Sequence, residues 1–404
     1  MQPLPSVDAL TRRIRTEFAN LLEAEFPRFS TAEMTSRRQR IADLCAAHEL
    51  DAVIVAQAMR GGTTTYWLTG WPVTQEAVTL VVPGRPQRLF IQHYNHVPLA
   101  RRLAVETEVE WGEASGLGRA LAALDTMLPG RPRIGLIGSL GLGQHDRLRA
   151  AASRLVDLNA AYGKLRLIKT AEELHWFRLG AALTDLGIAG LAEGARPGLS
   201  ERDLGLLVEA PYQPFGAINS IHYFLTTPMA APAVPVPMQF PSTRRLQKGD
   251  VLVTEISAQF WDHAGQVLRT FTLGEEPNAL YRELHAVSEA AFDAIVRLVK
   301  PGVRAGDLVA ASAVIEAAGH TIIDDLIHGY GGGYLAPVLG TASRPAAGWD
   351  PDFKLDAGMM IVVQPNVITR DNRAGVQNGH LLLVTETGAE PMQHFPAGLH
   401  VLPV

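Results

Sequence analysis

Leu246-Gln247-Lys248-Gly249-Asp250-Val251-Leu252-Val253-Thr254-Glu255 is the stretch that decides how this chain is read. Gly249-Asp250 makes a turn, and the alternation after it predicts a strand with Val253 and Glu255 on one face and Leu252 on the other. The strand therefore ends on a lone carboxylate. Downstream come Arg269-Thr270-Phe271 with Gly274, then His328-Gly329-Tyr330-Gly331, Gly358-Met359-Met360 ahead of Gln364-Pro365, and Val384-Thr385-Glu386-Thr387-Gly388. Upstream, Leu167-Ile168-Lys169-Thr170-Ala171-Glu172-Glu173-Leu174 leads into a helical pattern from Ala171 to about Glu193.

Two helix–Pro-Gly–helix units frame that strand. Pro197-Gly198-Leu199-Ser200-Glu201 stops the first helix, and Ser200 is placed to cap the next by accepting an orphan N–H. Pro301-Gly302 repeats the arrangement between a helix over about Asn278 to Leu298 and one over about Ala305 to Ala318. Strand-rich segments follow each unit, a weak internal duplication. Between them, the prolines of Pro228 to Pro241 deny that stretch both helix and central strand, so it reads as a long loop forming a wall or lid of a site.

The amino-terminal part alternates. Helical spacing from Ser36 to His48 precedes apolar runs at Ala52–Ala56, Tyr66–Gly70, Val78–Gly84 and Leu89–Ile91, read as short strands of a small α/β domain whose last strand is Ile134–Gly138. The glycines from Gly135 to Gly143 lack a phosphate-binding fingerprint and read as a plain turn. The expected division is residues 1–162 and 163–404.

Composition agrees with two globular domains, because 404 residues exceed one ordinary core and 47% apolar against 19% charged supplies buried material. A single cysteine, Cys45, allows neither an intramolecular disulfide nor a cysteine zinc site. No stretch approaches the ~20 apolar residues of a membrane span, and the opening residues hold no signal-like apolar core. With net charge −5 and mixed signs, neither nucleic acid nor a membrane surface is an expected partner, and a cytoplasmic location is expected.

The motifs quoted above, in their order and spacing, resemble the catalytic domain of the creatinase, prolidase and methionine aminopeptidase family, and Tyr66 to Trp71 resembles the smaller domain of creatinase and prolidase. The resemblance covers nearly the whole chain. It implies an α+β protein: a small α/β amino-terminal domain followed by a pita-bread catalytic domain. It also implies a homodimer in which the neighbouring amino-terminal domain borders the site, which brings Arg60, His93 and His96 into consideration.

Metallopeptidases of that family hold two divalent metals with two Asp, one His and two Glu. Set on those motifs, this chain offers Glu255, Gln266, His328, Gln364 and Gly379, so one carboxylate remains. A neutral amide is a poor ligand for a hard dication, and one carboxylate cannot balance the ~+4 charge of two ions. The family's substrate-binding His is matched by Met238. No metal and no cofactor are therefore expected.

The expected activity is a metal-independent, creatinase-like hydrolase or lyase acting on a small polar, C–N-containing metabolite. Glu255 would be base or nucleophile, and His328 would exchange protons with a leaving nitrogen. Gln266, Arg269, Gln364, Gln377, His222 and Tyr330 would bind substrate, with backbone N–H groups of the Gly329–Gly333 turn near it. His380 would point to the opposite face. Two alternatives stand beside this: a non-catalytic scaffold, and a peptidase of the Xaa-Pro type.

Overall fold

The computed structural model describes residues 3–57 and 64–404, which form two compact units, 24–166 and 1–23 with 167–404. The sequence places residues 1–162 in one domain, whereas the first 23 group with the second unit. There α1 (Val7–Glu17), capped by Ser6 and followed by α2 (Ala19–Leu22), buries Leu10 and Ile14.

In the unit 24–166, α3 (Thr31–Ala47), β1 (Ala52–Gln57), α4 (Thr64–Thr69), β2 (Ala77–Val81) and β3 (Gln87–Ile91) are followed by α5 (Val97–Leu103) and β4 (Thr107–Trp111). Then come α6 (Gly116–Met127), β5 (Arg133–Gly138), α7 (Leu142–Ala151), β6 (Arg154–Asp157) and α8 (Asn159–Leu165). The six strands form one sheet in the order β4-β3-β2-β1-β5-β6. Each face carries its own apolar cluster, Ile54, Leu80, Phe90 and Leu117 on one and Val53, Val55, Trp67 and Leu158 on the other, which is why β1 is a continuous apolar run.

Two expectations are corrected here. Tyr66–Thr69 is helix, closed by Gly70 at φ +79°, and β6 follows the strand expected to be last. Gly138 is a packing glycine: a Cβ there would stand 1.8 Å from Ala56 O on the parallel neighbour. Arg60 lies outside the described residues. His96 bonds Thr74 within this unit, Nδ1 to Oγ1 at 2.9 Å.

The second unit continues with α9 (Ala171–Gly194), α10 (Glu201–Tyr212), β7 (Ile218–Pro228), β8 (Asp250–Phe260), β9 (His263–Ala264) and β10 (Val267–Leu273). Its later part holds α11 (Ala279–Val296), α12 (Ala305–Ala311), α13 (Val314–Ala317), β11 (Ile327–Tyr330), β12 (Tyr334–Leu339) and β13 (Met360–Val363). It ends with β14 (Gly379–Val384), β15 (Ala389–Pro391) and β16 (His400–Leu402). Thr170 with Glu173 and Ser200 with Asp203 form capping boxes at the starts of α9 and α10.

The sheet runs β12-β11-β13-β14-β10-β8-β7, with β9, β15 and β16 attached. The duplication is visible in it. The α9–α10 pair precedes the β7–β8 hairpin at one end, the α11–α12 pair precedes β11–β12 at the other, and Gly198 and Gly302 take φ +91° and +85° in the two Pro-Gly breaks. Helices α11–α13 pack Tyr281, Leu284, Leu308 and Ile315 against Val253, Ile361 and Val363. Phe177 and Ala181 of α9 pack with Leu268, Val362 and Leu381. No helix among the described residues is long and apolar enough to cross a membrane.

Candidate active site

The register of the sheet assembles the site. Glu255 pairs with Tyr223 on β7 and with Leu268 on β10, and Leu268 pairs with Gly379 on β14, so these residues share a face. Gln266, two residues before Leu268, turns to the same side. Its Nε2 donates to Glu255 Oε1 at 2.9 Å and to Gln364 Oε1 at 3.2 Å. Gln377 Nε2 donates to Glu255 Oε2 at 3.4 Å. The three glutamines are buried, and Glu255 stays partly accessible.

His328 lies on β11 beside Val362, wholly buried, and its ring stacks on Tyr334 at 4.0 Å between centroids and 11°. Nδ1 donates to Gly329 O at 3.2 Å, while Nε2 finds no hydrogen-bond partner. Burial pushes the imidazole pKa down to about 4, against smaller raising effects from Gly329 and Gln364. His328 is thus a neutral acceptor at pH 7, unlike the proton-donating role expected of it.

Sequence reasoning missed Asp324 and Asp325. Burial first, then the charge of Asp324, raises the Glu255 carboxyl to about 7, against the hydrogen bonds from Gln377 and Gln266. Asp324 rises to about 7 as well, chiefly by burial, although Asn366 Nδ2 donates to its Oδ2 at 2.8 Å. Burial raises Asp325 also, opposed by a hydrogen bond from Tyr334. The available signal was the Asp-Asp doublet just ahead of His328.

Two expected binding residues, Arg269 and His222, are elsewhere, and a third, Tyr330, is engaged in the core. Arg269 lies one position off the Glu255 face and is fully buried. Its guanidinium donates to Pro396 O (2.8 Å), Leu268 O (2.7 Å), Gly379 O (2.9 Å), Phe395 O (2.8 Å) and His380 Nδ1 (3.0 Å). Nothing is left for a substrate. His222 pairs with Ile256, on the face opposite Glu255, and bonds Tyr212 Oη at 2.6 Å. Tyr330 lies beside His328, its ring centroid 6.1 Å away, but packs in the core with its hydroxyl donating to Gly265 O at 3.3 Å. His380 faces Arg269 and Phe292, as alternation requires. The Pro-rich loop brings Gln239, Phe240 and Pro241 to a 430 Å³ cleft along β7, together with His222 and Tyr223.

Residues 176–386, just over half the chain, match the profile of metallopeptidase family M24, and residues 37–168 match the creatinase/prolidase amino-terminal domain. The chain belongs to family M24. A Xaa-Pro dipeptidase of Pyrococcus furiosus is 27% identical over 56% of this chain and 63% of its own length, and a Bacillus creatinase is 24% identical over 61% and 62%. The solved Xaa-Pro dipeptidase of Bacillus anthracis superposes with a TM-score of 0.77 at 20% identity, covering 91% of this chain and all of that one. The fold is that of the two-domain pita-bread M24 proteins.

Membership in a peptidase family, with Xaa-Pro dipeptidases among its relatives, overturns the expectation of a metal-independent, creatinase-like metabolite hydrolase and favours the Xaa-Pro alternative. The family's description also implies a metal, and the residues around Glu255 do not fit one. Among the described residues, no group of three or more His, Cys, Asp or Glu is placed to hold an ion. The side chains that hydrogen-bond Glu255 are carboxamides. At Gly379 a Cβ would meet Val363 O at 2.3 Å and Gln364 Cα at 2.9 Å, so this M24 chain has closed that ligand position with backbone.

Proposed function

We propose that this protein is a hydrolase of the peptidase class that cleaves short Xaa-Pro peptides, as a cytoplasmic homodimer. The observation that carries the reading is that the M24 match spans the whole polar cluster, Glu255, Gln266, His328, Gln364 and Gln377, at the centre of the ten-stranded sheet. Gln266 and Gln377 hold one oxygen each of the Glu255 carboxyl, fixing its plane. With a pKa of about 7, Glu255 can take a proton from an attacking water and return it to the leaving nitrogen. His328 Nε2 accepts a hydrogen bond from water or substrate and orients it. The deciding experiment incubates the purified chain with Ala-Pro and, as control, Pro-Ala, each with and without Mn²⁺. Proline release from Ala-Pro alone, abolished in Glu255→Gln, is expected; no release in either condition refutes the assignment.

A further inference from the structure

One of the carboxamides that hold Glu255 also serves a second acid. Gln266 Nε2 donates to Glu255 Oε1 at 2.9 Å and Gln377 Nε2 to Oε2 at 3.4 Å, while Gln377 hydrogen-bonds Asp324 as well. Asn366 Nδ2 donates to Asp324 Oδ2 at 2.8 Å, which leaves Asp324 Oδ1 buried with no hydrogen-bond partner. An ionised carboxyl with one oxygen in that state is unfavourable, and a proton on it relieves the charge. The charges that act on Glu255 are those of Asp324 and Asp325, and the charge that acts on Asp324 is that of Asp325, not of any lysine or arginine. Nearby, Tyr334 donates to Asp325 and His328 is neutral, so neither supplies a positive charge. Two neighbouring acids without a cation between them do not ionise together: once the first has lost its proton, the second keeps its own.

We propose that Asp324 and Glu255 form an acid–base pair holding one proton between them, in which Asp324 is a second catalytic carboxyl, the proton donor to the leaving nitrogen. The role in turnover rests on the Xaa-Pro reading. The nitrogen of an Xaa-Pro bond carries no hydrogen, so it gains a proton as the bond breaks, and His328, a neutral acceptor, has none to give. Ionised Glu255 takes a proton from water while the water oxygen bonds to the scissile carbonyl carbon. Protonated Asp324 gives its proton to the nitrogen as the C–N bond breaks, the electron pair leaving with the nitrogen. The products are a carboxylic acid and the free amine of proline, and the pair ends with its proton on Glu255. Return of that proton to Asp324 through solvent resets the site.

Titration of the full chain, labelled with ¹³C at its Asp and Glu carboxyl carbons and followed by NMR, tests the pair without turnover. Ordinary exposed carboxyls have ionised by about pH 6, so the two signals stand apart and are assigned by their loss in Glu255→Gln and Asp324→Asn. In the parent, each carbon is expected to report two steps separated by at least about one pH unit, and Asp324→Asn should lower the Glu255 midpoint by at least about half a unit. The parent alone decides should Asp324→Asn not fold: a single step at each carbon overturns the pair. Ala-Pro hydrolysis tests its use. A bell-shaped pH–rate profile is expected, and Asp324→Asn should lower kcat at least about a hundredfold, keep KM within about threefold, and lose the falling limb at high pH. Parent-like turnover in Asp324→Asn refutes the donor. Two-step titration without any Ala-Pro turnover sinks the dipeptide reading and the donation to a prolyl nitrogen while the proton-sharing pair stands. Stoichiometric Mn²⁺ binding that abolishes the upper step would make the two carboxyls metal ligands and overturn the pair.

Discussion

At the scale of single residues, the site is a problem of proton counting. Glu255 rises from an ordinary 4.5 to about 7 and Asp324 from 3.8 to about 7, whereas His328 falls from 6.5 to about 4. Near pH 5.5 the folded site keeps both carboxyl protons and a neutral imidazole. The unfolded chain has lost both carboxyl protons and gained one on the imidazole. The folded state thus holds one proton more, so its stability falls as pH rises from about 5 to 7 and levels off above. Glu255→Gln removes one of the two carboxyl contributions and leaves the other to offset His328, so that variant's melting temperature should be nearly flat across the same window. Other titrating groups, such as buried Asp185, are common to both proteins, and the difference between their pH–melting curves isolates the site. Parallel curves would show that Glu255 does not carry the proton. Arg269 belongs to the same scale. Its charge is held by four backbone carbonyls rather than by a carboxylate, and Arg269→Met should cost about 3 kcal/mol or more in urea unfolding, because those carbonyls lose their donors in the core.

At the scale of elements, what the sequence made legible was local. The cap at Ser200 and the two Pro-Gly breaks are short-range signals and appear where they were read, whereas the strand read as ending on Glu255 runs on to Phe260 and the capping box at Thr170 went unread. Tyr66–Thr69 misled because a short apolar run fits a buried strand and a buried helical turn equally well. Arg269 misled for a different reason. Which neighbours it meets depends on the pairing of β8, β10 and β14, and no single strand's pattern reveals the register between strands. Asp324 and Asp325 precede β11 in an irregular segment, outside any periodic pattern that could have aimed them at Glu255. Gly379 illustrates what register dictates. Gly379→Ala pushes a methyl into Val363 O on β13, backbone that cannot rotate away, and should destabilise the protein by ~1–3 kcal/mol, read as a lower denaturant midpoint. A neutral result would mean that the β13–β14 edge is looser than its close approach implies.

At the scale of the whole molecule, the organisation departs from a simple cut near residue 165. The unit 24–166 has a six-stranded sheet with apolar clusters on both faces, the makings of an independent fold. The second unit begins earlier in the chain than its sheet does, because α1 buries Leu10 and Ile14 and the Val7 N–H donates to Glu193 Oε1 near the end of α9 at 2.8 Å. Helix α9 is buried along most of its length and carries Phe177 and Ala181 against the strand that bears Leu268, so support lost from α1 passes through α9 toward the Glu255 face. Removing residues 1–23 exposes that flank of α9. In a calorimetric scan, the truncated protein should keep the transition of unit 24–166 at its original temperature and show the other transition lowered by several degrees, since burying two aliphatic side chains is worth roughly 3–6 kcal/mol before the cost of ordering the helix. If both transitions moved together, the two units would melt as one. If neither moved, α1 would be a passive appendage and the boundary at residue 23 would have no energetic meaning.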